Sequence, residues 1–360
     1  MHCFSPLEKS GNKEKGPSFV LVSLLDLVCC PQCRAGEWRL DGETDADIEE
    51  GRVCCGACGA AYAVREGILD LNPAPSAAAQ QEMSGQQILA DRWLDDIPAS
   101  LHPLVEGEAG LHLMRSLPRC THPALAEAVP SLKRLDDIAE DYFELLDWLG
   151  LRGDEVLVEL GANIGWHARH LAKCGARVAA TDIGHQLALA RNYFDGSIYF
   201  ERVFCDMMAL PFREGSLDLI TAVATIHHAD DLAALFRACR RALKAGGRAV
   251  FFAEPVVGAG DADARERFGA QEKAIGIQEH VYSIDEYFGA AQAAGFRARV
   301  IPLRGLLHDS SRRWPLARAL GRLILASGLG YTDPFTRRIY PLLLRRYPRI
   351  PFPNFALALD

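Results

Sequence analysis

The sequence predicts an α/β fold, a largely parallel sheet with helices on both faces, preceded by a small cysteine-rich unit. Two observations carry this. From Asp136 onward, apolar strand-like runs alternate with helical stretches, and such alternation builds crossovers between parallel strands. Ahead of it, two C-x-x-C pairs share one short segment, the pattern of a metal-stapled module rather than a disulfide framework. With 360 residues, 49% of them hydrophobic and 24% charged, the chain has an ordinary globular composition. Its length suits two or three units at about 100–200 residues each.

Residues 1–18 are polar, with Gly and Pro, and are expected to be disordered. Residues 19–72 hold the cysteine pairs. A linker is marked by Asn72-Pro73-Ala74-Pro75-Ser76, and 73–135 reads as a linker and short helices broken by Pro98, Pro103, Pro118, Pro123 and Pro130. The third unit, 136–360, opens with a helix over Asp137–Leu149. Strands are expected at Val156–Leu160, Arg177–Thr181, Tyr199–Phe204, Leu217–Val223, Arg248–Ala253 and Arg297–Pro302, with helices such as Trp166–Cys174 and Leu232–Leu243 between them. Phe355–Leu359 reads as one more strand, reached only after an insertion over 304–354.

The net charge of −8 argues against general affinity for nucleic acid. The charge is uneven, because 304–354 carries ten arginines, no lysine and only Asp309 and Asp333 on the acidic side. Lys13 and Lys15 ahead of the apolar run Phe19–Val28 imitate a secretory signal. Asp26 interrupts that run and no small-residue cleavage site follows, so the expected compartment is the cytoplasm. No stretch reaches the roughly 18–20 apolar residues of a membrane span.

Cys30-Pro-Gln-Cys33 and Cys55-Gly-Ala-Cys58 are two knuckles whose spacing turns both sulfurs of a pair toward one ion. Four thiolates, Cys30, Cys33, Cys55 and Cys58, complete a tetrahedral Zn²⁺ site with no open position, so the metal is expected to be structural. Cys29 and Cys54 leave the wrong spacing to the partner cysteine. The stretches 24–33 and 55–71 resemble the zinc-ribbon domain known as an activator subunit of eukaryotic RNA- and protein-methylating enzymes, and as a small bacterial protein. That resemblance implies a folding or docking module.

The stretch Val156-Leu-Val-Glu-Leu-Gly-Ala-Asn-Ile-Gly165 is a buried strand entering a glycine turn and a helix, where backbone N–H groups approach an anionic ligand. Alone it fits any nucleotide-binding fold. Asp182 ends the second strand, where an acid can take both hydroxyls of a ribose. Asp206 follows the third strand, where an acid can accept from an adenine amino group. With Ala-Leu-Pro-Phe at 209–212, Thr225-Ile-His-His-Ala-Asp-Asp231 and Leu243-Lys-Ala-Gly-Gly-Arg248, the span 136–303 resembles class I S-adenosylmethionine (SAM)-dependent methyltransferases of the type 11 group. The resemblance implies a Rossmann-like seven-stranded sheet with its last strand antiparallel. It also implies that Glu159, Gly161 and Gly165 line the methionine end of SAM, that Asp182 binds its ribose and that Asp206 reaches its adenine. Asn163 departs from the usual glycine, and Asn tolerates the positive φ that the turn needs.

Methyl transfer is an in-line displacement in which the enzyme positions the acceptor and can add a base. The base candidates are His227 and His228 after the fourth strand and His280 past the fifth, with Glu254 and Tyr282 behind them. In the implied fold, 304–354 leaves from and returns to the active-site face, so Arg312, Arg313, Arg337 and Arg338 are candidates to bind an anionic acceptor. Pro315–Leu325 and Tyr340–Arg346 read as helices packed on the sheet, with a peripheral membrane contact as the other reading. The expected function is methyl transfer to an oxygen or nitrogen of a small-molecule or glycan-type, anionic acceptor. The alternatives are an RNA methyltransferase docked through the ribbon and a non-catalytic SAM-binding scaffold.

Overall fold

The computed structural model describes residues 20–40, 47–195, 197–258, 261–303, 315–345 and 355–360. The stretch 1–18, Arg312 and Arg313 lie outside the described residues. The ribbon contributes β1 (Trp38–Leu40), β2 (Gly51–Cys55), β3 (Ala61–Arg65) and β4 (Ile68–Asp70). The larger unit contributes β5 (Val156–Leu160), β6 (Arg177–Asp182), β7 (Glu201–Phe204), β8 (Leu217–Val223), β9 (Leu243–Phe252), β10 (Ala298–Pro302) and β11 (Phe355–Leu359).

All of them belong to one sheet in the order β1-β2-β3-β4-β7-β6-β5-β8-β9-β11-β10. Within β5–β11 only β11 runs antiparallel to its neighbours. Strands β5–β11 are the seven expected, and the four of the ribbon extend the same sheet to eleven. The cause is the parallel pairing of β4 with β7, Leu69 opposite Val203. On its own β7 would be an edge strand with open N–H and C=O groups, and the ribbon, part of the same chain, closes that edge by hydrogen-bonded pairing. Both Leu69 and Val203 are fully buried.

Two arginines lock the junction in opposite senses. Arg34 of the ribbon donates to the carbonyls of Leu210 (2.7 Å) and Phe212 (2.9 Å). Arg213, from the loop before β8, reaches back to the carbonyls of Val28, Leu25 and Gly36. A third arginine, Arg202 on β7, is almost fully buried and donates to the carbonyls of Glu66 and Gly67 in the β3–β4 turn. Buried carbonyls need donors, and guanidinium groups supply several each.

Between ribbon and sheet the chain forms α1 (Ala77–Trp93), α2 (Gly107–Ser116), α3 (Pro123–Ala128) and α4 (Pro130–Leu149). The segment 73–135 is thus more helical than a linker. Ser76 caps α1 by accepting from Ala79 N at 3.1 Å. Pro130 starts α4 instead of breaking it, because its missing N–H costs nothing in the first turn. Gly85 lets α1 approach residues 275–277: a Cβ there would lie 2.6 Å from Ile277 Cγ1 and 2.9 Å from the Ile275 carbonyl. After the sheet begins come α5 (Trp166–Lys173), α6 (Leu232–Ala242), α7 (Ala262–Arg267), α8 (Ala270–Ala274) and α9 (Ile284–Ala293). Leu232, Leu235, Phe236 and Cys239 form the apolar stripe with which α6 packs on the sheet. Each large member contributes about 1.5–3 kcal/mol by burial.

The insertion holds α10 (Pro315–Ala326) and α11 (Tyr340–Arg345). Tyr340 and Leu344 are buried, in keeping with a helix packed on the fold, whereas Leu320, Leu323, Leu342 and Leu343 face solvent. Among the described residues, no helix is long and apolar enough to cross a membrane.

Candidate active site

The strand order reverses direction at β5 and β8, and ligands of such sheets bind beyond the carboxyl ends of the strands at that switch. Gly161, Asn163 and Gly165 all lie there with positive φ, at 62°, 49° and 77°. Asn163 takes the left-handed conformation that its place in the turn requires. Gly161 cannot carry a side chain, since a Cβ would stand 2.2 Å from Thr225 Cγ2.

Asp182 is buried and accepts from Asn163 N and Gly184 N, each at 2.6 Å. Two amides leave lone pairs on this carboxylate for further donors, while burial pushes its carboxyl above the usual range. Asp206 caps the turn that follows β7, accepting from Met208 N at 2.8 Å. Glu159 is the informative residue: it is 2% exposed, and its Oε2 is buried without a hydrogen-bond partner. Burial raises its carboxyl well above the ordinary value. A buried orphan oxygen of this kind is costly unless a ligand completes it.

These residues open onto one cavity of about 1420 Å³, lined also by Thr225, His227, His228 and Glu279. One drug-sized ligand needs only about 300–1,000 Å³, so a cofactor and a second molecule fit together. The segment 73–135 and α4 also line the cavity, with Leu89, Trp93, Leu113, Met114, Leu132 and Ile138 beside the polar Gln86, Gln87, Asp96, Ser131 and Arg134. Sequence reading gave this segment no chemistry. The available signal was the run of apolar residues at helical spacing between Leu89 and Ile138, which does not say what it covers.

The histidine pair is built by two unusual backbone positions. Ala224 (φ 48°) follows β8 and Ala253 (φ 57°) follows β9, both left-handed at a cost of about 1–2 kcal/mol each. They aim the amides of Thr225, Ile226 and His227 at the Glu254 carboxylate, at 2.8, 3.1 and 3.2 Å. Glu254 also binds His227 Nδ1 at 2.8 Å. So engaged, Glu254 is an orienting group and not a free base. His227 Nε2 faces Glu279 at 3.4 Å. Burial disfavours charge on His227, but its bonds to Glu254 and Glu279 outweigh it and raise the ring's pKa to about 9. His228 lies against it with ring centroids 4.3 Å apart and gives its Nδ1 to the Gln278 carbonyl at 2.5 Å. Burial and the neighbouring His227 lower its pKa to about 4.

The other candidates stand elsewhere. His280 is partly exposed, bonds Asp230 at 3.0 Å and does not line the cavity. Tyr282 is committed to the Ala229 carbonyl at 2.5 Å. Arg337, expected as one of four candidates on a basic lid, is engaged elsewhere. It donates to the Ala298 carbonyl and both Asp360 oxygens at 3.1 Å, and neither it nor Arg338 reaches the cavity. The cause is Asp333 and Asp360, which pair with the guanidinium at 3.3 and 3.1 Å.

In the ribbon, Cys30, Cys33, Cys55 and Cys58 bring their sulfurs within 4.8 Å of one another. The Cys30–Cys58 and Cys33–Cys55 pairs are 3.6 Å apart. Zn–S bonds of about 2.3 Å at tetrahedral angles place sulfurs roughly 3.8 Å apart, so the cluster fits zinc.

Fold order, left-handed glycine turn and strand-end acids define a class I methyltransferase domain, joined in one chain to a zinc ribbon. Residues 158–251 match the family described as "Methyltransferase domain" and residues 22–67 the one described as "Trm112p-like protein". Among curated proteins the chain is 32% identical, over 28% of its length and 44% of the relative's, to a ubiquinone biosynthesis O-methyltransferase of Pseudomonas aeruginosa. It is 28% identical, over 42% of its length and 57% of the relative's, to the 27-O-demethylrifamycin SV methyltransferase of Amycolatopsis mediterranei. The chain spans about half the length of these relatives. Among solved structures, the geranyl diphosphate C-methyltransferase of Streptomyces coelicolor superposes with TM-score 0.48 at 18% identity, over 80% of this chain and 99% of that one. A chain of the complex between the Haloferax volcanii Trm112 methyltransferase activator and a methyltransferase superposes with TM-score 0.44 at 20% identity, over 66% and 95%.

Proposed function

We propose that this protein transfers the methyl group of SAM to an oxygen of a small-molecule acceptor with a largely apolar body, acting in the cytoplasm. The observation that carries the reading is the 1420 Å³ cavity, which Glu159, Asp182 and Asp206 line together with Leu89, Trp93, Leu113, Met114, Leu132 and Ile138. Its mostly apolar lining favours a lipid-like or aromatic acceptor over a glycan. The relatives named as O-methyltransferases favour oxygen as the methylated atom.

SAM, when bound, supplies an electrophilic methyl group on its sulfonium. Glu159 completes its orphan oxygen on the methionine end, beside the Gly161–Gly165 turn. Asp182 accepts from the ribose hydroxyls and Asp206 from the adenine. The polar end formed by His227, His228 and Glu279 meets the acceptor oxygen, with Glu254 holding His227 in place. The apolar lining positions the acceptor and excludes water, which is most of what a displacement at methyl requires.

The test is transfer of radiolabelled methyl from SAM into cell extract separated into lipid, polar small-molecule and RNA pools. Label in the lipid or other organic-soluble pool is expected. Label confined to RNA would establish the ribbon-docked RNA reading instead. SAM binding with no label in any pool would establish the scaffold reading.

A further inference from the structure

We infer that His227, His228 and Glu279 hold a divalent transition-metal ion at the acceptor end of the cavity. The inference rests on the proposed methyl transfer for the ion's use, and on geometry for its existence.

One ligand atom from each of the three residues lies within 4.8 Å of the other two. His227 Nε2 and Glu279 Oε2 are 3.4 Å apart. Ligands at about 2.0–2.2 Å from a common ion stand roughly 3.0–3.5 Å from each other, so this pair already spans one edge of a coordination polyhedron. The second argument is how the rings are held. A metal-binding imidazole almost always gives its other nitrogen to a carboxylate or a backbone carbonyl, which sets tautomer and orientation. Both kinds of support are present: His227 Nδ1 on Glu254 Oε2 at 2.8 Å, and His228 Nδ1 on the Gln278 carbonyl at 2.5 Å. In His228 this leaves Nε2 for the ion, and in His227 an ion would replace the proton that Nε2 shares with Glu279 Oε2 at 3.4 Å.

The supports are themselves anchored. Glu254 is tied to three amides of the Thr225–His227 turn. Residues 278–280 are tied by Gln278 N to Glu82 of α1 at 2.6 Å and by His280 N to the His227 carbonyl at 3.2 Å. Glu82 also stands 3.4 Å from His228. All three ligand residues line the cavity, so an ion there keeps open positions for an oxygen of the acceptor. Two imidazoles and one carboxylate suit Mn²⁺, Fe²⁺, Co²⁺ or Zn²⁺ rather than Mg²⁺ or Ca²⁺, which take oxygen donors. An acceptor hydroxyl held by such an ion would give up its proton to solvent more readily, and its oxygen would take the methyl group as the S–CH₃ bond breaks and S-adenosylhomocysteine leaves.

The test uses the full chain with its ribbon loaded with zinc, and Mn²⁺ as the probe, because thiolates discriminate against Mn²⁺. Calorimetry is expected to find one Mn²⁺ per chain. Pulsed electron spin resonance of that Mn²⁺ is expected to show coupling to imidazole nitrogen, a readout that needs no variant. Glu279→Gln and His228→Gln are expected to weaken Mn²⁺ at least tenfold while SAM still binds. Absence of Mn²⁺ binding, absence of nitrogen coupling, or affinity unchanged in both variants would each overturn the inference. Methyl transfer by a protein that binds no Mn²⁺ would leave the proposed function standing. A protein that binds Mn²⁺ and not SAM would overturn that function alone.

Discussion

Gly161→Ala is the perturbation whose size can be worked most directly from the structure. An alanine Cβ would stand 2.2 Å from Thr225 Cγ2, 2.7 Å from Thr225 Oγ1 and 3.0 Å from Thr225 Cβ. The φ of 62° adds a left-handed penalty of about 1–2 kcal/mol for any residue with a Cβ. Overpacking in a tight site adds about 1–3 kcal/mol. The expected loss of stability is therefore roughly 2–5 kcal/mol. Thr225 cannot move alone, because its amide is bound to Glu254 and its hydroxyl donates to the Val223 carbonyl at 3.0 Å. The strain should pass into the His227–His228 turn as well as into the cofactor turn. Thr225→Ala removes the two closest atoms. The double variant Gly161→Ala/Thr225→Ala should therefore regain about 1–3 kcal/mol relative to additivity and keep only the backbone penalty. Urea unfolding gives the stabilities, and calorimetric titration with SAM gives the binding. A Gly161→Ala protein within 0.5 kcal/mol of wild type, roughly the additivity error, or strictly additive single variants, would refute the reasoning.

Three further outcomes follow from the same geometry. Asp182→Ala should weaken SAM by about 10²–10⁴-fold, since two charge-assisted hydrogen bonds are each worth roughly 1.5–3 kcal/mol; an unchanged dissociation constant would remove Asp182 from the cofactor site. Burial on β7 raises Glu201 to about 8, above its unfolded value, so the stability linked to it is fully present below the unfolded pKa and is lost as pH rises toward 8. Glu201→Gln should then gain on wild type between pH 5 and 8 in denaturant melts, and a flat difference would show that Glu201 is not the cause. Removing zinc should unpair β4 from β7 and melt the ribbon before the rest of the chain; a single transition at unchanged temperature after chelation would contradict a metal-stapled edge.

Much of the site was legible because its chemistry is local in sequence. The turn from Gly161 to Gly165, with Asp182 and Asp206 at consecutive strand ends, needs only strand–helix alternation to bring it together. The zinc knuckles are likewise two residues apart by construction. The segment 73–135 was not legible, because its prolines read as breaks whereas Pro130 opens α4. Nor does amphipathicity name the surface that is covered. Arg337 was not legible for a related reason: its partner Asp360 is distant in sequence and takes its guanidinium at 3.1 Å.

Spacing and strand alternation thus determined a four-cysteine metal site and an α/β nucleotide-binding domain in one chain, and the resemblance of their motifs supplied the zinc-ribbon and methyltransferase classes. Only the tertiary structure decided that the two share one eleven-stranded sheet. It also decided that α1 walls the cavity and that Glu254, Gln278 and Glu279 converge on the histidine pair. These are contacts between residues far apart in the chain, selected by the pairing of an open strand edge and by the donors and acceptors that burial obliges each side to satisfy.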